Sequence, residues 1–397
     1  RAKDMKIVGL FSGIGGLGLP FHARGAKAQL LCENWDPARR VLLDRFPDVE
    51  VHGDIRELTS LPGDVDTVTA GFPCTDLSQA GRTAGIQGNA SGLVAHVFRL
   101  LEGRHIEWLV LENVRNMLML DKGRAMHYLT TQLESLGFRW AYRLVDSRFS
   151  GVPQRRHRVL LVASRHHDPR EVLFTDNAHE PPDHDFRADA CGFYWTEGFT
   201  GLGWAKDAVP PLKGGSTVGI PSPPAIWRPG APLGARIVTP TVEDAEVMQG
   251  FDRGWTAPAE DGRANGPRWK LVGNAVTVPV ADWLVGRIYQ PGEVAVDCVP
   301  FSSGERWPDA AYGEAGRLWR FSATAWPVRA KYRHLTEVLT EGKLKALSQR
   351  ATAGFLQRAN RSRLRFDLRF LDDVRQHLQF MQETEGSGDL FRCAAIA

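Results

Sequence analysis

Between residue 5 and about residue 165, short apolar runs alternate with amphipathic stretches, which restricts the fold more than any other feature of the chain. The apolar runs predict strands at residues 6–10, 29–32, 65–70, 107–111, 140–145 and 159–163. The stretches between them predict helices at residues 37–46, 93–102 and 123–136. This alternation favours an α/β fold, with a mostly parallel sheet and helices on both of its faces.

Composition sets further bounds on the class of protein. With 397 residues, 43% hydrophobic and 24% charged, the chain should be globular, as one large domain with appendages or as two domains. Its formal net charge of +3 does not by itself indicate a nucleic-acid partner. Five cysteines without a CxxC pair argue against a disulfide framework or structural zinc, so no metal is expected. We expect a cytoplasmic protein without a membrane partner, because no secretory leader or 18-residue apolar run is found.

A glycine-rich loop, Phe11-Ser12-Gly13-Ile14-Gly15-Gly16, follows the first predicted strand and should open a helix. Gly13, Gly15 and Gly18 match a GxGxxG pattern, and Glu33 lies twenty residues after Gly13. Such glycines let the backbone approach a ligand, and the distant carboxylate can hold ribose hydroxyls. An ordinary glycine turn is the alternative, but the pattern favours a nucleoside cofactor.

Two further positions belong to the same prediction. Trp35 follows Glu33 closely and offers a surface on which an adenine ring could stack. Asp54 and Ile55 end a further, shorter candidate strand, where they would meet the edge of that ring. Taken singly, Trp35 and Asp54 are as consistent with a structural role.

Pro73-Cys74 follows the predicted strand at residues 65–70. An arbitrary cysteine is more often a small core residue, but a thiolate is a strong nucleophile. A thiolate can add to carbon 6 of cytosine, which makes carbon 5 able to accept a methyl group from a sulfonium donor. That addition requires a proton on ring nitrogen 3, which a positioned carboxylic acid can supply.

Glu112, in Glu112-Asn113-Val114, is the candidate acid, because it directly follows an apolar run and should lie at the carboxyl end of a strand. Arg156 and Arg158, in Gln154-Arg155-Arg156-His157-Arg158, can hold a phosphate, an exocyclic oxygen or Glu112 itself. The alternative interpretations are a capping or surface glutamate and a solvated basic turn.

In this order, the blocks resemble the motifs of bacterial-type cytosine-5 DNA methyltransferases, the modification enzymes of restriction and related anti-phage systems. Gly273-Asn274-Ala275-Val276 resembles a later motif, and residues 236–251, which include Gln249-Gly250-Phe251, resemble the segment that precedes it. The resemblance covers residue 5 to about residue 290. It implies the S-adenosylmethionine-dependent methyltransferase fold, S-adenosylmethionine as the cofactor and double-stranded DNA as the substrate.

The resemblance also implies roles for single residues. Cys74 would be the nucleophile, Glu112 would protonate and hold the base, Arg158 would contact the cytosine oxygen, and Arg156 would support the catalytic loop. The cofactor pocket would be lined by Phe11, Gly13, Gly15, Glu33, Trp35, Asp54, Ile55, Pro73, Leu93, Asn274 and Val276. Residues 75–91 would form a loop that closes on DNA, and Thr75 departs from the family, which often has glutamine there.

Four regions are predicted. Residues 5–165 form the catalytic domain, residues 166–235 a small irregular or β target-recognition region, and residues 236–290 the segment that completes the catalytic domain. Part of the second region, Pro210-Pro211-Leu212-Lys213-Gly214-Gly215, is expected to be scaffold. Residues 291–397 form a C-terminal extension, irregular to about residue 330 and then helical and basic. Residues 329–375 contain twelve Lys or Arg against five acidic residues, so this stretch is a candidate for gripping DNA, or alternatively a solvated helical face.

Rival functions follow from the same residues. The short recognition region leaves methylation of cytosine in tRNA open, and a non-catalytic DNA-binding protein on this scaffold is a second alternative. A nicotinamide or flavin oxidoreductase would use the glycine loop, but would not explain Cys74 and Glu112 together. We expect the enzyme to be a monomer. Its protein partner would be a cognate restriction or defence protein.

Overall fold

The structure is a computed structural model that describes residues 4–73, 92–199, 201–214, 222–262 and 266–394, with side chains up to residue 384. The strands are β1 (Lys6–Leu10), β2 (Lys27–Cys32), β3 (Glu50–His52), β4 (Thr67–Ala70), β5 (Trp108–Val114), β6 (Arg139–Asp146), β7 (His157–Ser164), β8 (Cys191–Phe193), β9 (Ala205–Lys206), β10 (Ala225–Trp227), β11 (Ile237–Thr239), β12 (Cys298–Phe301), β13 (Ala310–Glu314), β14 (Arg317–Phe321) and β15 (Lys345–Ala346). The α-helices are α1 (Leu19–Ala23), α2 (Asp36–Arg45), α3 (Leu93–Leu101), α4 (Arg124–Ser135), α5 (Arg170–Leu173), α6 (Val242–Met248), α7 (Arg268–Asn274), α8 (Val278–Tyr289), α9 (Leu335–Val338), α10 (Gln349–Arg361) and α11 (Leu368–Ala394).

A ten-stranded sheet in the order β12-β14-β13-β6-β7-β5-β4-β1-β2-β3 forms the centre of the molecule. The five strands from β5 to β3 are parallel to one another, whereas β7 runs antiparallel to both β5 and β6. The predicted α/β fold is therefore confirmed. All six strands predicted between residues 5 and 165 are present.

The sheet is buried on both faces because apolar side chains alternate along its central strands. In β5, Leu109 and Leu111 join one core cluster, which also contains residues of α3 and α4. Trp108 and Val110 point to the opposite face and join a second cluster, to which α1 and α8 contribute. Successive side chains of a strand point to opposite faces, so a nearly continuous apolar run indicates a strand covered on both sides.

The segment at residues 236–290 returns to the first strand, as the resemblance implied. Leu284 of α8 and Phe21 of α1 are both fully buried in the second core cluster. The Arg24 guanidinium of the turn after α1 also pairs with Asp282 of α8, with 2.6 Å between Nη1 and Oδ1. This packing brings residues 274–277, which precede α8, next to the glycine loop that precedes α1.

The expectation of irregular chain up to about residue 330 is wrong for residues 298–321. Strands β12, β13 and β14 extend the central sheet, and β13 pairs antiparallel with β6, with Tyr312 opposite Ala141. The hairpin between β13 and β14 turns at Ala315 and Gly316, both with positive φ. These strands are short and of mixed polarity, so their pairing depends on the edge of β6 that the rest of the chain supplies.

A second, smaller sheet has the order β15-β11-β10-β8-β9 and is antiparallel throughout. Four of its strands come from residues 191–239 and the fifth, β15, comes from the C-terminal region. The helices α10 and α11 pack on this sheet and share its core. Among the described residues, no helix combines the length and the apolar character needed to cross a membrane.

Candidate active site

The parallel strands of the central sheet bring the predicted site residues to one edge. The glycine loop follows β1, Glu33 follows β2, Asp54 follows β3 by two residues, and Glu112 lies near the carboxyl end of β5. Carboxyl ends of parallel strands lie at the same edge of a sheet, where ligands of α/β proteins usually bind. Residues far apart in the sequence therefore become neighbours through strand order alone.

Glu33 holds the backbone of the glycine loop. Its Oε2 accepts a hydrogen bond from the Gly13 N–H at 2.8 Å, and its Oε1 accepts one from the Trp35 N–H at 2.9 Å. Burial raises the pKa of Glu33, although these backbone hydrogen bonds oppose the rise. The carboxylate therefore orders the loop.

A cleft of about 630 Å³, including its open mouth, contains the glycine loop, Glu112 and the turn at residues 274–276. Five of the predicted cofactor residues line it, namely Phe11, Gly13, Gly15, Asn274 and Val276. Thr69 and Gly71, at and after the end of β4, also contribute to the wall. Its walls combine apolar side chains with backbone N–H groups, as the walls of small-molecule sites usually do.

The other predicted cofactor residues do not line this cleft. Ile55 is buried in the core, Leu93 packs against the same core at the start of α3, and Pro73 is exposed. The Lys270 ammonium lies 4.7 Å from the centre of the Trp35 ring. Asp54 is hydrogen-bonded to Arg56, which lowers the pKa of its carboxyl to about 2.

Glu112, which lines the cleft, forms an ion pair with Arg158. Arg158 Nε lies 2.9 Å from Glu112 Oε1, although this contact is not aligned as a hydrogen bond. The two side chains meet because β5 and β7 pair antiparallel with Glu112 opposite Leu160, so that Arg158 lies on the same face of the sheet two positions along. Burial lowers the pKa of Arg158, and the Glu112 carboxylate opposes that effect.

Arg156 has a different environment from Arg158. It is 2% exposed and donates hydrogen bonds to the carbonyl oxygens of Leu212, Gly273 and Ala275, at 3.0 to 3.1 Å. Burial, with the nearby Arg158 cation, lowers its pKa to about 9. Arg156 thus connects the start of β7 to Leu212 and to the turn at residues 273–276 that lines the cleft.

The turn at residues 273–276 is held by close packing. A Cβ atom at Gly273 would lie 2.3 Å from the Lys213 carbonyl carbon and 2.5 Å from the Gly214 nitrogen, so only glycine allows this approach. The Leu212 N–H also donates to Gln154 Oε1 at 2.9 Å. Residues 212–214 therefore act as scaffold for the cleft.

Sequence reasoning missed a buried amide network under the same turn. Gln154 Nε2 donates to Gln249 Oε1 at 2.9 Å, and Gln249 Nε2 donates to the Val272 carbonyl at 2.9 Å. The Thr277 hydroxyl donates to the same Gln249 oxygen at 2.7 Å. Both glutamines are fully buried and occur in the motifs quoted above, but only their partners reveal their structural role.

Asn113 holds the backbone just before the predicted nucleophile. Its Nδ2 donates to the carbonyl oxygen of Phe72 at 3.0 Å, and its Oδ1 accepts from the Val114 N–H. Asn113 is 4% exposed, so this bond is protected from water. Cys74 itself and residues 75–91 lie outside the described residues.

Tyr194 is a further residue near the site that the sequence did not indicate. It follows β8, is 4% exposed, and its hydroxyl is buried without a hydrogen-bond partner among the described residues. Lys213 Nζ lies 3.7 Å from the centre of its ring. The Tyr194 hydroxyl also lies within electrostatic range of Arg156 and Arg158, although burial is the main cause of its raised pKa.

Comparisons with known proteins find similar sequences and a similar fold. The family described as C-5 cytosine-specific DNA methylase matches residues 5–189. The type II methyltransferase M2.BsuMI of Bacillus subtilis (strain 168) is 45% identical over 370 residues, which cover 90% of this chain and 94% of that protein. The type II methyltransferase M.MspI of Moraxella sp is 25% identical over 306 residues, covering 72% and 71%. The crystal structure of the S. pombe Dnmt2 methyltransferase has the same fold, with a TM-score of 0.52, 14% identity, and coverage of 71% of this chain and 97% of that chain.

Proposed function

This chain belongs to the C-5 cytosine-specific DNA methylases, and we propose that it methylates carbon 5 of a cytosine in duplex DNA as the modification enzyme of a type II restriction system. The family and the type II relative support the reaction and the setting. The observation on which the proposed site depends is the single cleft that the glycine loop shares with Glu112 and residues 274–276.

S-adenosylmethionine is the cofactor of this class of enzyme and supplies the methyl group when it is bound. The residues present fit such a group, because Gly13, Gly15, Asn274 and Val276 line the cleft. The Glu33 carboxylate, which already holds the Gly13 N–H, is the candidate partner for the ribose hydroxyls. No metal is part of this proposal.

Glu112 would hold the target base by hydrogen-bonding and protonating its ring nitrogen 3. Its Oε1 lies beside the Arg158 guanidinium, which fixes the direction of the carboxyl group. Arg158 already donates from Nη1 to the His157 carbonyl at 2.7 Å, while its Nη2 has no hydrogen bond to a described residue. That nitrogen is the candidate donor to the exocyclic oxygen of cytosine.

Cys74 would add its thiolate to carbon 6 of the base and leave again after carbon 5 has gained the methyl group and lost its proton. The hydrogen bond from Asn113 to Phe72 would position the segment that leads to Cys74. A base stacked in a duplex is not accessible to these groups, so the cytosine must rotate out of the helix into the cleft.

A methyl-transfer assay tests the substrate and the reaction together. The full chain should transfer labelled methyl groups from S-adenosylmethionine to unmodified duplex DNA, and hydrolysis of that DNA should yield 5-methylcytosine. Cys74→Ala should abolish transfer while leaving cofactor binding intact. Transfer to tRNA but not to DNA would contradict the proposed substrate, and equal transfer by Cys74→Ala would contradict the nucleophile.

Two further experiments test the covalent step and the biological setting. Duplex DNA that carries 5-fluorocytosine at a proven target should be trapped on Cys74, because carbon 5 then has no proton to lose. Sequencing of methylated bases in DNA from cells that express the chain should reveal one short recurring target sequence. Scattered methylation without a common sequence would contradict a role in type II modification.

A further inference from the structure

The C-terminal region is part of the smaller domain and not a separate appendage. Phe355 of α10 and Phe370 of α11 are fully buried against Phe193 of β8, with ring centres 5.3 and 4.9 Å from that of Phe193. Asp373 of α11 accepts hydrogen bonds from Trp227 Nε1 at 2.8 Å and from Arg236 Nη1 at 2.6 Å. Residues 166–235 therefore contain only part of this domain, which explains why that interval is short.

The C-terminal end of α10 lies beside residues 195–198, which in turn contact the scaffold of the cleft. Arg358 donates from Nη2 to the Trp195 carbonyl at 2.5 Å, and a Cβ atom at Gly198 would lie 3.2 Å from the Arg358 Cβ. Glu197, within the same segment, pairs with Lys213. Lys213 in turn contacts Gly273 next to the cleft, so a continuous series of contacts connects α10 with the active site.

Three arginines lie at and just after this end of α10. Arg361, Arg363 and Arg365 are exposed, whereas Ser362, Leu364 and Phe366 between them are half-buried. The three exposed guanidinium groups lie within five residues of the chain, and Phe366 packs edge-on against Phe355 of the core. We call these three residues the arginine row.

None of the arginine row forms an ion pair with a described residue, unlike other arginines of the same domain. Arg187, Arg228 and Arg236 pair with Glu337, Glu341 and Asp373, at 2.6 to 3.1 Å. Three unpaired cations within five residues repel one another in the free protein. An anionic partner that lies along this surface would relieve that repulsion, and regularly spaced phosphates on a DNA strand provide such a partner.

We propose that the arginine row binds the phosphate backbone of duplex DNA next to the target base, so that residues 345–384 complete the target-recognition domain. This inference rests on the proposed function, since it assigns part of the DNA surface of the same enzyme. Phosphate contacts set the register of a protein on DNA and dominate its affinity, while base contacts select the sequence.

The test compares the full-length R361Q/R363Q/R365Q variant with the wild-type chain on duplex DNA that the wild type methylates. Loss of three phosphate contacts should reduce the slope of log affinity against log salt concentration by about 2.7. The variant should bind at least about tenfold more weakly at low salt, and should keep its turnover rate at saturating DNA within about twofold. The R361K/R363K/R365K variant keeps the charges and should retain most of the affinity.

The matched control is K27Q/R306Q/R317Q, which removes three exposed cations from other parts of the chain. It should leave the salt slope unchanged, and both glutamine variants should keep the thermal unfolding midpoint of the wild type. An unchanged slope in R361Q/R363Q/R365Q, or an equal change in the control, would overturn this inference alone. Absence of methyl transfer by the wild type to any duplex DNA would instead overturn the proposed function and this inference with it.

Discussion

Neighbouring residues of one motif have different roles in this site. Arg158 pairs with Glu112, whereas Arg156, two positions earlier, is buried and donates hydrogen bonds to three backbone carbonyls. The sequence indicates both as cations near the site. The register of β5 on β7 determines which of them meets the carboxylate.

At the residue scale, Glu112→Gln removes the proposed proton donor and nearly preserves its shape. We expect methyl transfer to fall by at least about 100-fold, because positioned acids contribute about 10²- to 10⁴-fold. Cofactor affinity should change by less than about threefold, since the glycine loop and residues 274–276 are untouched. Single-turnover assays and calorimetric titration measure the two effects, with Glu102→Gln on the surface as the control. Near-normal turnover in Glu112→Gln would rule out Glu112 as the acid.

At the scale of elements, the cleft depends on how α7 and α8 return to the first strand. The turn between these helices supplies Asn274 and Val276 to the wall of the cleft. Three buried side chains hold this turn. The Arg156 guanidinium and the Gln249 amide donate hydrogen bonds to backbone carbonyls at the turn, and the Gln154 amide donates to Gln249. Cofactor affinity should therefore depend on residues that never touch the cofactor.

Gly273→Ala tests this dependence. The added methyl group would meet the backbone of Lys213 and Gly214 at 2.3 to 2.5 Å, and backbone atoms move less readily than the end of a side chain. We expect the variant to bind S-adenosylmethionine at least about tenfold more weakly and to lose about 1–3 kcal/mol of unfolding free energy. Gly342→Ala, where a Cβ atom would meet nothing within 4 Å, is the control and should be neutral. Normal cofactor affinity in Gly273→Ala would show that the turn tolerates displacement.

At the scale of the whole molecule, the C-terminal region joins the two sheets. Strands β12 to β14 extend the central sheet, and β15, α10 and α11 complete the smaller domain. Removal of residues 325–397 would therefore expose the core around Phe193 and Trp227 in addition to removing candidate DNA contacts. Point variants on the surface, such as those in the arginine row, separate these effects.

The docking of α11 should make stability depend on pH. His377 is fully buried, with Nε2 2.8 Å from the Leu347 carbonyl and Nδ1 without a partner among the described residues. Burial lowers the pKa of His377 below its ordinary value of 6.5, so the unfolded chain binds a proton there at a higher pH than the folded chain does. The unfolding free energy should therefore fall as the pH drops below about 6.5, by at most about 1.4 kcal/mol per pH unit from this group.

His377→Gln should make that decline shallower in urea unfolding curves recorded between pH 7 and pH 5. Part of the decline should remain, because burial also lowers the pKa of His22, His96 and His157. His184→Gln, at an exposed position, serves as the control and should reproduce the wild-type profile. The same steepness in His377→Gln and in the wild type would contradict the assigned role of His377.

Sequence patterns were enough to predict the main strands and helices between residues 5 and 165 and the chemical groups available for the reaction. Periodicity and residue type are local properties, so β1, β5 and the glycine loop were predictable without knowledge of their neighbours. The same local patterns failed at residues 298–321, where short strands of mixed polarity are stabilised by the edge of β6.

Which residues contact one another depends on the folded chain. The pairing of Glu112 with Arg158, the burial of Arg156, and the joining of residues 191–239 with α10 and α11 all depend on contacts between distant parts of the chain. Such contacts form because strand order and register minimise exposed apolar surface and unpaired polar groups across the whole molecule. Local sequence patterns do not report this balance, so the sequence indicated a basic C-terminal stretch, and the fold showed which of its arginines are exposed without an ion pair to a described residue.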